Sequence, residues 1–109
     1  MVAWIVTIPA SALKSGQAVL NFGVALETAF VETYLGAVET LSSADLRLVA
    51  AKVAANEATH FSFFDAAAGG HGVLPSLPST VTIAQAATVL TPYIPNLTAR
   101  LTAAGFPNA

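Results

Sequence analysis

The chain has 109 residues, enough for one domain with a core, and it combines a hydrophobic share of 55% with a charged share of only 9%. The formal net charge is -2, and four dispersed basic residues cannot follow a phosphate backbone, which argues against a nucleic-acid partner. Because the chain contains no cysteine, disulfides, thiolate metal sites and a cysteine nucleophile are excluded.

The first predicted elements are an N-terminal extended arm and a long helix. The arm covers residues 1–10, which are mostly apolar and include Pro9. The helix is predicted to start near residues 12–16, with Ser11 or Ser15 as its N-cap, and to end near Leu41, because this stretch lacks proline and carries apolar residues at helical spacing.

A second long helix follows after a tight turn. Ser42 is the predicted N-cap, and Asp45 lies in the first turn, where a carboxylate is favourable. The helix is predicted to run to about Ala68, where Gly69-Gly70 ends it. Residues 11–70 are therefore predicted to form a long antiparallel helical hairpin, which makes the fold class all-α.

Residues 71–109 are predicted to be a loop followed by a short helical tail. The helical parts are Thr82–Leu90 and one or two turns over Asn96–Ala103. Asn96 begins a glycosylation-type triplet, but it also suits a helix cap. No transmembrane segment is expected, because the longest apolar stretch, residues 18–41, is interrupted by three glutamates.

The seams of the two long helices carry ionisable residues among apolar ones. Alternating steps of four and three give two series: Leu20, Val24, Glu27, Val31, Tyr34, Val38, Leu41 and Leu46, Val49, Val53, Glu57, His60, Phe64, Ala67. Two carboxylates and an imidazole thus fall on faces that their neighbours predict to be buried. In an antiparallel hairpin, Glu27 and Glu57 lie at similar distances from the turn.

A buried carboxylate is costly unless a cation compensates it, and a divalent metal would do so. The Glu-x-x-His spacing directs Glu57 and His60 towards one point on the inner face of the helix. Two hairpins related by a two-fold axis would place four carboxylates and two histidines around two metal ions. Such oxygen and nitrogen ligands suit iron or manganese, at two ions per dimer, with zinc as a substitute.

The residues that carry this pattern resemble the second half of a ferritin-like domain of the desiccation-related, di-iron carboxylate type. The similar motifs are Glu27, Tyr34-Leu35-Gly36-Ala37 and Glu57-Ala58-Thr59-His60, within a resemblance that covers roughly residues 7–95. The resemblance implies a four-helix bundle with oxidase or ferroxidase-type chemistry. The complete family pattern has four helices and two half-sites, whereas this chain has one half-site. The chain is therefore a fragment, or it completes the bundle as a homodimer, which is the leading expectation, or its site is incomplete and inert.

Other readings of the same residues stay open. The Glu27, Glu57 and His60 trio could form a metal-free polar network in an interaction or stress-protective module, or the bundle could carry a hydrophobic ligand. Tyr34 could donate a hydrogen bond to a metal ligand, although a packed tyrosine is the simpler interpretation. Glu32 and Glu39 are predicted to face solvent.

Overall fold

The computed structural model of the protein describes residues 6–75, 78–103 and 105, and this part of the chain is helical without strands. The elements in chain order are a short 3-10 helix, Ala10–Leu13, and four α-helices: α1, Gly16–Thr40; α2, Ala44–Ala68; α3, Ile83–Leu90; α4, Leu97–Ala103. The predicted all-α class and the hairpin of two long packed helices, α1 and α2, are confirmed.

Helix α1 begins at a serine cap. The Ser15 hydroxyl accepts a hydrogen bond from the backbone N–H of Ala18 at 3.0 Å, so Ser15 rather than Ser11 is the cap. The helix ends at Thr40, because Leu41 takes an extended conformation while its N–H still donates to the Ala37 carbonyl.

Helix α2 begins one residue later than the sequence predicted. Ser43, and not Ser42, caps it by accepting from the backbone N–H of Leu46 at 3.3 Å, and Asp45 lies in the first turn as expected. The helix ends at Gly69, whose φ of 102° lies in the left-handed region that favours glycine. The prediction that Gly69-Gly70 ends the helix is confirmed.

Small side chains dominate the buried surfaces of the hairpin. The buried residues of α1 include Gly23, Ala29, Val31 and Gly36, and those of α2 are Ala50, Ala54 and Phe61. The predicted seam of α2 was wrong at Leu46 and Val49, which are exposed in the single chain. The alanines, which lie further round the helix, form the buried face because they permit close approach.

Helix α3 packs on α1, α4 packs on α3, and together they complete the core. Their buried residues Ala87, Leu90 and Leu97 form a cluster against which Leu26 and Phe30 of α1 pack. Thr82 and Gln85 form a capping box at the start of α3, in which each side chain accepts from the other residue's backbone N–H. Helix α1 is therefore the central element, with α2 on one side and the C-terminal helices on another.

The connection into α3 crosses α1 at a glycine. The Val81 backbone N–H donates to the Glu32 carbonyl at 3.3 Å, and a Cβ at Gly36 would collide with the Val81 carbonyl oxygen. This crossing leaves Glu32 half-buried, so the prediction that it faces solvent was wrong, whereas Glu39 is exposed as predicted. The Glu39 carboxylate accepts from the Thr80 hydroxyl at 3.4 Å.

The two ends of the described chain add smaller details. Residues 1–5, half of the predicted arm, lie outside the described residues, and the backbone N–H of Thr7 donates to the Tyr93 carbonyl at 2.6 Å. Asn96 has a φ of 60°, and its carbonyl accepts from the Arg100 N–H at the start of α4. Among the described helices, none has the length and hydropathy needed to cross a bilayer.

Candidate metal centre

The hairpin brings Glu27 of α1 together with Glu57 and His60 of α2. One potential ligand atom from each residue lies within 4.8 Å of the other two. His60 Nδ1 is 2.9 Å from Glu57 Oε2 and 3.6 Å from Glu27 Oε2. The predicted juxtaposition of these three side chains is present in the structure.

This convergence follows from the register of the hairpin. Glu27 lies 13 residues before the last residue of α1, and Glu57 lies 13 residues after the first residue of α2. Because the helices are antiparallel and rise equally per residue, the two glutamates reach the same height. A spacing of three residues then puts His60 on the same face as Glu57, one turn further from the hairpin turn.

The two carboxylates are largely withdrawn from solvent, while the imidazole is not. The side chains of Glu27 and Glu57 are 12% and 16% exposed, and that of His60 is 47% exposed. Glu27 Oε2 is buried without a hydrogen-bond partner. A buried oxygen in this state loses hydration without replacement, and a cation beside His60 and Glu57 would compensate it.

The pKa of Glu27 also reflects the cost of burying its charge. Burial raises the pKa of Glu27 from its ordinary value of 4.5 to about 7, and the adjacent Glu57 carboxyl adds to the rise, whereas His60 opposes it. Near neutral pH, Glu27 therefore carries a proton in a substantial fraction of metal-free molecules. That proton occupies the position in which a metal ion would remove the same electrostatic penalty.

An open groove of about 540 Å³ gives access to the cluster. It is lined by Glu27, Thr59, His60, Phe63 and Phe64, all from α1 and α2. The C-terminal helices contribute none of this lining, so they stabilise α1 without covering the site. The arrangement can hold a cation between oxygen and nitrogen donors while one side remains accessible.

Two other residues that the sequence analysis considered as functional lie away from the cluster. Tyr34 lines a separate apolar groove beside α3 and α4, and within the described chain no hydrogen bond joins its hydroxyl to Glu27, Glu57 or His60. Its role as a donor to a ligand stays a prediction. His71 is exposed in the loop after α2, as expected.

Sequence reasoning missed one neighbour of the site, Asn56. Its Nδ2 atom lies 3.5 Å from His60 Nε2, at the long limit of a hydrogen bond. The signal was available, because an asparagine four residues before a histidine lies on the same side of a helix.

The raised pKa of Glu27 predicts how the stability of the metal-free protein depends on pH. Between about pH 4.5 and about 7 the folded state binds more protons at Glu27 than the unfolded state does, so stability falls as pH rises through this window. In chelator, we expect a higher urea midpoint at pH 5 than at pH 8. Because His60 and Glu57 face the same group, Glu27→Gln is the control, and it should reduce the difference. Equal midpoints for the wild type, or an equal difference in the variant, would contradict the prediction.

Comparison with known proteins agrees with this architecture. A family model described as a ferritin-like domain matches residues 3–70, which include both long helices and all three residues of the cluster. No curated protein and no solved structure gives a significant match to the chain. Because the family match extends over more than half of the sequence, the protein belongs to the ferritin-like domain family.

Proposed function

We propose that this protein binds a divalent transition metal ion through Glu27, Glu57 and His60. The observation that carries the proposal is the buried Oε2 of Glu27, to which no described residue donates a hydrogen bond, within a set of three potential ligand atoms that lie no more than 4.8 Å apart. Membership of the ferritin-like family supports the same function. The desiccation-related subtype rests on the sequence motifs alone.

The donor set favours particular metals. Two carboxylates and one imidazole, without sulfur, suit iron or manganese, and zinc is a substitute that the same ligands accept. Two carboxylates also neutralise one divalent ion, which removes the repulsion between Glu27 and Glu57. When bound, such a metal supplies redox chemistry with oxygen or peroxide, the basis for an oxidase or ferroxidase-type activity.

The residues at the proposed metal site have different roles. Glu27 gives up its proton as the cation arrives, so binding below about pH 7 releases a proton. Glu57 holds His60 Nδ1 at 2.9 Å before any metal binds, which fixes the ring beside the carboxylates. Phe63 and Phe64 form the apolar part of the groove that leads to these ligands.

Three protein ligands leave the coordination of a metal incomplete, and we propose that a second copy of the chain completes a dinuclear centre. A two-fold pair of hairpins would provide the four helices and two half-sites of a di-metal bundle. The groove at Glu27 and His60 is open and receives no cover from α3 or α4. A partner placed there would bring its own half-site next to this one.

The surface beside the groove supports this mode of association. Four exposed residues lie along one side of α2, two near its start and two beside the groove: Leu46, Val49, His60 and Phe63. Phe63 is 70% exposed. This stripe, defined by these four residues, combines apolar side chains with the exposed edge of the site. Burying it against an identical stripe would remove apolar area from water and close the groove in one step.

The metal site is tested by replacing one carboxylate without changing its shape. Protein purified without chelator should carry about one iron or manganese ion per chain. Glu57→Gln should lose most of this metal because it removes a charge and a ligand oxygen, and Glu57→Ala should do the same with helicity largely retained. Elemental analysis and circular dichroism measure both properties.

The matched control for this experiment is Glu39→Gln, which changes an exposed glutamate of α1 and should leave metal content unchanged. Metal content in Glu57→Gln equal to that of the wild type would contradict the proposal. Wild-type protein that stays metal-free after anaerobic addition of ferrous iron would also contradict it. The trio would then be a structural polar network in an interaction module.

If the dimer forms through the stripe, introducing a charged residue into the stripe should favour the monomer. Val49→Lys should shift the mass measured by light scattering from dimer towards monomer, because a buried lysine at a two-fold contact faces its own copy. Leu48→Lys is the control, since Leu48 and Val49 are both 55% exposed but Leu48 lies off the stripe. A monomeric wild type, or identical masses for the two variants, would contradict the shared site.

A second candidate function, carriage of a small hydrophobic molecule, is favoured by one observation. An apolar groove of about 240 Å³ lies between α1, α3 and α4, and none of its lining residues is charged. Two of its polar groups, the Thr33 and Thr40 hydroxyls, donate to carbonyls of their own helix. A cavity of about 150 Å³ with apolar walls holds benzene, so this groove is large enough for a bicyclic molecule.

If the apolar groove carries a small hydrophobic molecule, a neutral naphthylamine dye should bind the protein and gain fluorescence. Ala37→Phe should weaken binding by filling the groove, whereas Ala51→Phe, at an exposed position of α2, should not. Absence of binding to the wild type, or equal weakening by both variants, would rule out this candidate.

A further inference from the structure

Gly23 and Phe64 form the layer of the hairpin next to the candidate metal centre. Gly23 precedes Glu27 by four residues in α1, and Phe64 follows His60 by four residues in α2. Both residues lie on the side of the cluster away from the hairpin turn, with Phe64 about one turn further out than Gly23; because a helical side chain tilts towards the N-terminus of its helix, the Phe64 ring reaches back to the level of Gly23. The pair therefore lies directly beside the cluster of Glu27, Glu57 and His60.

The Phe64 ring rests on the backbone of α1 at Gly23. Gly23 is buried, and a Cβ added there would lie 2.5 Å from Phe64 Cδ1, 2.7 Å from Cγ and 2.8 Å from Cε1. These distances are far shorter than a carbon–carbon contact of about 3.5–4.0 Å. Glycine is thus the residue that permits this approach, although glycine within a helix is unfavourable by about 0.5–1 kcal/mol relative to alanine.

Phe64 connects this contact to the site. Its ring lines the groove together with Glu27 and His60, and it packs edge-to-face on Phe63 with 5.8 Å between ring centroids. A side chain at residue 23 would force one of two changes. Either the ring moves into the groove beside Glu27 and His60, or α1 and α2 separate at this layer and draw Glu27 away from the two ligands on α2.

We propose that Gly23 is a positioning residue for the metal centre: by admitting the Phe64 ring against α1, it sets the helix separation that brings Glu27 to Glu57 and His60. This inference rests on the proposed function, and it adds a residue that would not itself touch the metal. The helix propensity lost at Gly23 is offset by the packing of Phe64 and by the site geometry that this packing fixes.

The test is a titration of the whole protein with Co²⁺, followed by its visible absorption, which reports affinity and ligand geometry. Gly23→Ala should weaken Co²⁺ binding by about tenfold or more, the range seen when the supports of metal ligands are altered. Gly16→Ala is the matched control in the same helix, because a Cβ there meets no atom within 4 Å. Circular dichroism checks that each variant keeps its helices.

A double variant separates positioning from a general loss of stability. Gly23→Ala with Phe64→Ala removes the ring that collides with the new methyl group, so it should recover most of the affinity that Gly23→Ala loses. Recovery in the double variant supports the proposal, since a merely destabilised fold would weaken further when a second packing residue is lost.

The outcomes distinguish this inference from the function on which it rests. Wild-type binding with equal affinity in Gly23→Ala and Gly16→Ala would overturn the positioning role and leave the metal site in place. Weakening that the double variant fails to relieve would also overturn it. If the wild type binds no Co²⁺, both the proposed function and this inference are wrong.

Discussion

Two carboxylates, those of Glu27 and Glu57, approach each other across the helical hairpin, and the rest of the structure has to accommodate this contact. Glu27 and Glu57 are both largely buried, and their mutual repulsion acts in a medium that screens it less than water does. His60 Nδ1 lies 2.9 Å from Glu57 Oε2 and 3.6 Å from Glu27 Oε2, but the His60 side chain is nearly half exposed. The fold keeps this unfavourable pair because the surrounding packing of α1 and α2 holds the helices in register.

Helix α1 allows the molecule to keep the site open and still have a core. Its Leu26 and Phe30 side chains pack against α3 and α4, while Gly23 and Glu27 belong to the contact with α2. The residues of α1 that pack against the C-terminal helices and those that belong to the site thus lie on adjacent faces of one helix. Such a division lets a chain of 109 residues retain an accessible cluster without leaving α1 unsupported.

The elements that periodicity controls could be predicted from the sequence. Both long helices, the hairpin and the meeting of Glu27, Glu57 and His60 follow from apolar spacing and from equal distances to the turn. The roles of these residues as metal ligands stay a prediction. The start of α2 was wrong by one residue because Ser42 and Ser43 are equally good caps by composition, and only backbone geometry decides between them.

Other features depend on contacts that spacing does not encode. Leu46 and Val49 fit an apolar seam, yet the closest packing uses Ala50 and Ala54, because two helices approach most closely through small side chains. The half-burial of Glu32 depends on the path of the loop before α3. That path is set where Val81 crosses α1, more than forty residues further along the chain.

The protonation state of Glu27 connects the pH dependence of the metal-free protein with the proposed binding of a metal ion. A buried carboxylate can be neutralised by a proton or by a cation, and the pKa of about 7 means that the protonated and ionised forms of Glu27 are similarly populated near neutral pH. The same burial that raises the pKa of Glu27 would strengthen the attraction of its ionised form for a cation, because charges are screened less in a buried setting than in water. In the proposed metal site, the packing of Phe64 on Gly23 would hold the helices at the distance where Glu27 and Glu57 act together on one cation.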